Sequence, residues 1–285
     1  MKTKVLIMGG SGFVGSALVP ALLDSGCNVT TLNRGSRLVR GAEQITTDGY
    51  DAAAMKAVTA RFDVVIDTSC YDGAATRIAY EAFGGASTLW LHLSSAAVYR
   101  AIGNTGALES DALGGADVWA EYGRAKHAAE TVLIDAAKGP FVILRPPYLY
   151  GPQNDSDRET FIWSRALSGR PVIVPGTGSA LIQFLHVEDL AALFIYLLKS
   201  VPDSSQIYNV AAPEIMTSYE WARRLAAIAG RDIELLRGAE VAPKERPRDY
   251  FPFRDTNCIV NPQKLFATTD WRPQFDWQKR IRCNL

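Results

Sequence analysis

Tyr122 and Lys126 stand four residues apart in a stretch of helical pattern, residues 118–137, so their side chains share one helical face. That spacing brings an ammonium toward a phenol oxygen. To act as a base near neutrality, a phenol must lower its pKa from about 10 to about 7, which costs about 4 kcal/mol. A cation in a partly dry cleft supplies that stabilisation. Taken alone, the same spacing also suits an ordinary amphipathic helix. Here it follows an apolar run, residues 88–93, that ends in Ser94 and Ser95. A hydroxyl at a strand end donates where charge develops on a reacting oxygen. A tuned phenol beside it can move a proton on that oxygen while a hydride leaves or reaches the carbon.

A hydride needs a carrier, and the start of the chain reads as its cradle. Residues 4–19 run KVLIMGGSGFVGSALV. Val5, Leu6, Ile7 and Met8 are continuously apolar, as in a strand buried on both faces of a parallel sheet. Gly9, Gly12 and Gly15 follow three apart, and residues 16–23 carry helical spacing. Gly9 permits the tight turn, Gly12 lets backbone approach a pyrophosphate, and Gly15 lets the helix close on the strand. The helix start offers unpaired N–H groups and the positive end of its dipole. The spacing is G-x-x-G-x-x-G rather than G-x-G-x-x-G, and such turns also occur for packing alone. The strand before it and the helix after it point to dinucleotide binding.

The next elements must place the rest of that cofactor. Residues 29–32 read as the second strand, ending at Asn33, where a carboxylate would pair with two ribose hydroxyls and repel a 2′-phosphate. Asn33 is followed by Arg34 and, past Ser36, Arg37, whose planar forks suit phosphate. NADP is therefore expected over NAD; solvated loop charges are the alternative. Residues 45–47 form a short strand leading to Asp48 and Gly49. There a carboxylate accepts from the adenine amino group or caps a helix beginning at residue 51. The strand at 62–67 closes on Thr68, Ser69, Cys70 and Tyr71, small polar positions expected to line the cofactor groove. Cys70 reads as a packed thiol, since no histidine lies near it in sequence. Helix is expected at 74–83.

Beyond Gly151 and Pro152 the composition shifts toward loops and short elements. We expect a helix within 154–168, a strand at 171–174 and core-like helix over 184–200. A strand at 206–210, a helix at 218–229 capped by Thr217 or Ser218, and a strand at 233–236 follow. No internal repeat or low-complexity stretch is present.

The bulk numbers narrow the class. The chain has 285 residues, 48% apolar and 21% charged, which suits one large domain or a large domain with a small lobe. Its formal net charge is zero, which points away from nucleic acid and acidic membrane surfaces. Cys27, Cys70, Cys258 and Cys283 are scattered, with no C-x-x-C and only three histidines, so reduced thiols fit better than a metal site or disulfides. The apolar run in residues 1–8 is too short for a signal peptide, and residues 190–198 are too few to span a bilayer. A cytoplasmic location is expected.

The motifs GGSGFVG, LSSAAVY, YGRAK, LRPPYLYGP (residues 144–152) and FLHVEDLA (residues 184–191) occur in this order. Together they resemble the extended short-chain dehydrogenase/reductase superfamily, the NAD-dependent epimerases and dehydratases, over nearly the whole chain. Asn33-Arg34-Gly35 and Pro252-Phe253-Arg254-Asp255 also resemble a subgroup related to chloroplast stem-loop RNA-binding proteins. The resemblance implies an α/β fold, a Rossmann-type doubly wound parallel sheet with a small C-terminal α/β substrate lobe. Residues 1–153, joined by 182–211, would form the dinucleotide-binding domain; 154–181 and 212–285 would form mainly the lobe. It also implies that Ser95 bonds the reacting substrate oxygen, that Tyr122 is the acid/base, and that Lys126 holds the nicotinamide ribose and lowers the tyrosine's pKa. Ser94 is the second choice for the serine. Phe13, Val14, Ser94, Pro146 and Tyr148 would also touch cofactor, and Tyr148, Arg246 and Arg248 the substrate. A homodimer would pair helices 74–83 and 118–137 into a four-helix bundle.

Three departures bear on the reaction. Ile182-Gln183 stands where nucleotide-sugar epimerases of this family carry an arginine for the substrate diphosphate. Tyr148 replaces an asparagine three residues after the L-R-P arginine, and Ala96-Ala97 replaces the Asp-Glu of the dehydratases. A diphosphate buried without a cation is costly, and Arg246 alone remains to meet one. The expected function is an NADP-dependent oxidoreductase acting on a hydroxyl or carbonyl of a small molecule. The alternatives are a sugar or sugar-nucleotide epimerase with retained cofactor, and a non-catalytic RNA-associated or regulatory protein.

Overall fold

A computed structural model describes residues 2–35, 37–47, 50–69, 71–154, 156–275 and 277. The expectations for Asp48, Gly49 and Cys70 lie outside the described residues. The first half alternates strand and helix: β1 (Lys4–Met8), α1 (Phe13–Asp24), β2 (Asn28–Asn33), β3 (Glu43–Thr46), α2 (Ala52–Lys56), β4 (Val64–Asp67), α3 (Gly73–Phe83), β5 (Leu89–Leu93), α4 (Ala120–Ala136), β6 (Phe141–Arg145) and β7 (Tyr148–Tyr150). The second half comprises α5 (Arg158–Leu167), β8 (Val172–Val174), β9 (Leu181–His186), α6 (Val187–Lys199), β10 (Gln206–Asn209), β11 (Ile215–Thr217), α7 (Ser218–Ile228), β12 (Leu235–Arg237), α8 (Gly238–Val241), α9 (Pro247–Tyr250) and α10 (Gln263–Thr268).

The main sheet has seven parallel strands in the order β10-β6-β5-β4-β1-β2-β3. Residues of β4, β5 and β6 are buried throughout, as a parallel sheet covered on both faces requires. Alternate residues of β1 enter different cores. Val5 and Ile7 pack with Leu18, Leu22, Leu190 and Phe194 from α1 and α6. Leu6 and Met8 pack with Ala79, Phe83 and Leu133 from α3 and α4. The chain winds from β1 toward β2 on one side and toward β4 on the other, a Rossmann-type order. The direction reverses beside β1, which leaves a crevice at the strands' carboxyl ends.

The second half builds a three-stranded sheet, β11-β9-β7, and a parallel pair, β12-β8. Residues 184–186 are strand, not the helix the apolar run suggests. They pair with β7 on one side, while the preceding residues of β9 pair with β11 on the other. Helix α6 starts only at Val187, where His186 Nδ1 accepts from the Glu188 N–H at 3.2 Å. Helix α4 likewise starts at Ala120, after a 3-10 turn at Asp117–Trp119, because Ala120 takes a positive φ of 49°. Asp51 caps α2, accepting from the Ala53 and Ala54 N–H groups. Thr217 caps α7 in a reciprocal box with Glu220. No helix among the described residues is long and apolar enough to cross a membrane.

Candidate active site

The crevice at the carboxyl ends of β1, β4, β5 and β6 is a cleft of about 870 Å³. Gly9, Ser11, Gly12, Phe13 and Val14 form one end. Gly9 sits at φ +90°, and a Cβ there would strike Thr68 Oγ1 and Ser69 Cβ at 2.6 and 2.8 Å, so the turn and the end of β4 close on each other only through glycine. Gly12 is the N-cap of α1 and brings no capping side chain. The first N–H groups of the helix have neither intrahelical partners nor a side-chain cap, and the residues that carry them line the cleft. This arrangement fits a dinucleotide pyrophosphate. Gly15 is not part of the cleft wall: a Cβ on it would fall inside the Gly10 carbonyl, so its role is the close packing of α1 on the turn.

Asn33, Arg34, Thr47, Thr68 and Ser69 line the same end. Asn33 Oδ1 is occupied by the Gly35 N–H at 2.8 Å and Gln44 Nε2 at 3.1 Å. The turn closed at Gly35 carries Arg37 out to solvent, away from the wall, and leaves Arg34 there alone. Tyr50 joins this end, sharing a 2.6 Å hydrogen bond with Ser69.

Ser94, Ser95, Tyr122 and Lys126 meet at the middle of the cleft. Strand β5 delivers the serines and α4 delivers the other two. Ser95 Oγ accepts from the Ala97 N–H at 3.2 Å, and its side chain hydrogen-bonds Tyr122. Ser94 is 3% exposed and donates to Glu130 Oε1, so its hydroxyl is spent inward, and Ser95 is the serine that faces the phenol. Lys126 is 2% exposed, donates to the Leu93 carbonyl at 2.8 Å and lies 4.9 Å from the Tyr71 ring centroid.

The expected lowering of the Tyr122 pKa is not found. Burial of its phenol end raises the pKa above the ordinary tyrosine value; the Ser95 hydrogen bond and Arg158 pull it down, while Tyr71 and Cys258 push it up. Lys126 gives one donor to the Leu93 carbonyl. A phenol held in this way stays protonated at neutral pH.

The remaining wall is aromatic and cationic. Pro146, Tyr148, Trp119, Arg158, Arg248, Arg254 and Cys258 all line it. Tyr148 packs 4.5 Å from Phe253, and the Arg158 guanidinium lies 4.9 Å from the Tyr148 ring. Burial drives Cys258 up to about 12 and Tyr148 well above its ordinary value. Arg246 is not in the cleft: its side chain is 86% exposed and pairs with Asp249 at 3.2 Å on the first turn of α9. Gln183 is also spent, bonding the Ala212 carbonyl and the Val260 N–H at 2.8 Å each. The sequence alone did not single out Trp119, Arg158 or Cys258 for this wall. Arg254 stood in a motif without a role, whereas Tyr71 was among the positions expected to line the groove. A charge just past a Gly-Pro turn was the available signal for Arg158.

A family model described as the NAD dependent epimerase/dehydratase family matches residues 5–211. The chain is 29% identical over 298 residues to the chloroplast stem-loop binding protein of 41 kDa b of Arabidopsis thaliana, covering 96% of this chain and 76% of that one. It is 28% identical over 240 residues to 2′-dehydrokanamycin reductase of Streptomyces kanamyceticus, covering 80% and 67%. In fold it is similar to a Thermotoga maritima UDP-glucose 4-epimerase solved with UDP-glucose, with a TM-score of 0.81, 19% identity and coverage of 98% and 96%. It is similar also to a Thermus thermophilus UDP-glucose 4-epimerase solved with NAD, with a TM-score of 0.77, 22% identity and coverage of 98% and 97%. The family match spans the glycine turn, both serines and the Tyr122–Lys126 helix, while Arg248, Arg254 and Cys258 of the cleft wall lie beyond it. The chain belongs to the NAD dependent epimerase/dehydratase family.

Proposed function

We propose that the protein is an NADP-dependent oxidoreductase that reduces a carbonyl, or oxidises the matching alcohol, of a small molecule. The observation that carries this reading is the Ser95–Tyr122 hydrogen bond in a cleft headed by the glycine turn, with Lys126 one helical turn along. A nicotinamide bound there supplies a hydride to a carbonyl carbon or takes one from a carbinol. Tyr122 gives its phenolic proton to the carbonyl oxygen in reduction and takes it back in oxidation. Ser95 donates to the same oxygen as charge develops on it. Lys126, buried and fixed by the Leu93 carbonyl, would hold the nicotinamide ribose. A phenol whose pKa is raised is protonated at neutral pH, the form in which it must start a reduction.

Arg34 supports NADP. It lines the ribose end of the cleft without an ion-pair partner, and no carboxylate stands there to repel a 2′-phosphate, both among the described residues. The relative named as a stem-loop binding protein invites a nucleic-acid reading, but zero net charge and cations held within a cleft support a small ligand better. A homodimer through α3 and α4, which pack on each other, is a separate expectation checked by light scattering. The deciding experiment is turnover of carbonyl compounds with NADPH and NADH. Net oxidation of NADPH identifies a reductase. Conversion of a sugar with no net change in the cofactor pool identifies an epimerase and overturns this reading.

A further inference from the structure

Arg158, Arg248 and Arg254 converge on one end of the cleft. All three charges act on the Tyr148 hydroxyl, and two of them also act on the Cys258 thiol. Each has one N–H donor on a main-chain carbonyl: Arg158 on Leu149 at 2.9 Å, Arg254 on Val118 at 2.5 Å, and Arg248 on Pro252. A guanidinium carries five such donors, and none of the three forms an ion pair among the described residues. The described cleft wall holds five cations, Arg34, Lys126, Arg158, Arg248 and Arg254, and no Asp or Glu. This stands out in a chain of 30 basic and 30 acidic residues.

On the oxidoreductase reading, Arg34 and Lys126 would hold the two ribose groups of the cofactor and the helix start its pyrophosphate. The three arginines are left for the substrate. Holding like charges together in a half-buried site is costly: burial lowers the Arg158 pKa, Tyr148, Glu159 and Cys258 raise it, and Arg248 adds a smaller lowering. An arriving oxyanion removes that repulsion and accepts charge-assisted, forked hydrogen bonds. Arg158 and Tyr122 line the same cleft, so the anion would share that space with the reacting carbon. Trp119 and Tyr148 supply apolar faces next to it. The space is small. Clefts of about 300–1000 Å³ hold one drug-sized ligand, and this one, at about 870 Å³, must hold a dinucleotide and the substrate together.

We propose that the substrate is a compact carbonyl or hydroxyl compound carrying its own oxyanion group, a phosphate monoester or a carboxylate, held by Arg158 and Arg254 with Arg248 at the rim. This rests on the oxidoreductase reading and names its substrate class. The test is calorimetric titration of the full chain, with and without NADPH, using inorganic phosphate, acetate, glucose 6-phosphate, glucuronate, glucose and UDP-glucose as probes. With NADPH bound, an anionic probe should bind at least tenfold tighter than glucose. Arg158→Gln and Arg254→Gln should each weaken that probe by about ten- to a hundredfold while the NADPH affinity stays within twofold. Arg158→Lys, which keeps charge and loses the fork, should lose part of the affinity. A phosphate preference assigns a monoester and an acetate or glucuronate preference a carboxylate; both uphold the oxyanion site. The proposal is overturned if glucose binds as tightly as every anionic probe, if the glutamine variants keep full anion affinity, or if UDP-glucose binds tenfold tighter than glucose 6-phosphate. Failure of the redox reading shows separately, as absent NADPH binding, and leaves the anion titration on the cofactor-free chain readable.

Discussion

Glu130 and Arg145 meet as a fully buried fork, with Glu130 Oε2 2.6 Å from one terminal guanidinium nitrogen of Arg145 and Oε1 2.9 Å from Nε. Burial opposes the arginine's charge, and Glu130 more than offsets it, so Arg145 is held above its ordinary pKa. The same carboxylate receives Ser94, and the arginine also donates to Tyr99 Oη at 3.0 Å, which in turn donates to Asn209 Oδ1 at 2.7 Å. Glu130 lies one turn beyond Lys126 on α4. The pair thus ties the helix of Tyr122 and Lys126 to the ends of the strands that carry Ser95 and Pro146.

Removing one partner leaves a buried charge uncompensated. Glu130→Ala should destabilise the chain by about 3–5 kcal/mol, measured by urea unfolding. The double variant Glu130→Leu with Arg145→Met should lose clearly less than the single one, because it buries no unpaired charge. Equal losses would show that the fork is not the source of the effect.

Tyr122→Phe removes the proton donor and little else. Turnover should fall by at least about a hundredfold, with NADPH affinity and thermal midpoint close to those of the parent. A variant with full turnover would remove Tyr122 from the reaction. Ser94→Ala provides the contrast: its hydroxyl serves Glu130, so the loss should appear in stability before it appears in kcat.

Cofactor choice should follow one side chain. Arg34→Ala is expected to weaken NADPH about tenfold or more and leave NADH nearly unchanged, as read by fluorescence titration. Arg37→Ala, which alters an exposed residue outside the cleft, should change neither.

Alkaline pH should unfold the chain in a predictable window. Cys258, ordinarily near 9, is pushed up to about 12 by burial, and Tyr99 rises from 10 to about 12 for the same reason. Both are neutral acids in the folded chain, so the unfolded chain loses these protons first. Their contribution is complete below about pH 9 and is lost as pH rises toward 12, roughly 4 kcal/mol for the thiol. Urea midpoints should fall across that range, and Cys258→Ala should flatten the fall. A midpoint independent of pH from 9 to 11 would contradict the thiol's burial.

Gly15→Ala places a methyl against the Gly10 backbone, which cannot move without opening the glycine turn. Weaker NADPH binding and a lower thermal midpoint should appear together. A change in binding alone would mean that Gly15 touches the cofactor rather than packing the helix.

The glycine turn, the serine at the end of β5 and the Tyr122–Lys126 spacing were legible in the sequence because each lies within one short, locally determined stretch. Strand-to-helix periodicity and four-residue spacing fix which face a side chain occupies before any tertiary contact forms. The parallel order of the sheet followed from apolar runs buried on both faces. What the chain's order did not reveal is set by contacts across long separations. Ser94 rather than Ser95 turns inward because Glu130, 36 residues on, takes its hydroxyl. Arg246 and Arg158 are alike as residue types, but packing exposes one and aims the other into the cleft. The direction of the Tyr122 pKa is set first by burial in the folded cleft, with Cys258 and Arg158 from the second half of the chain adding smaller, opposed effects. Local spacing determines which groups can act; burial and distant neighbours determine their charge and what they meet.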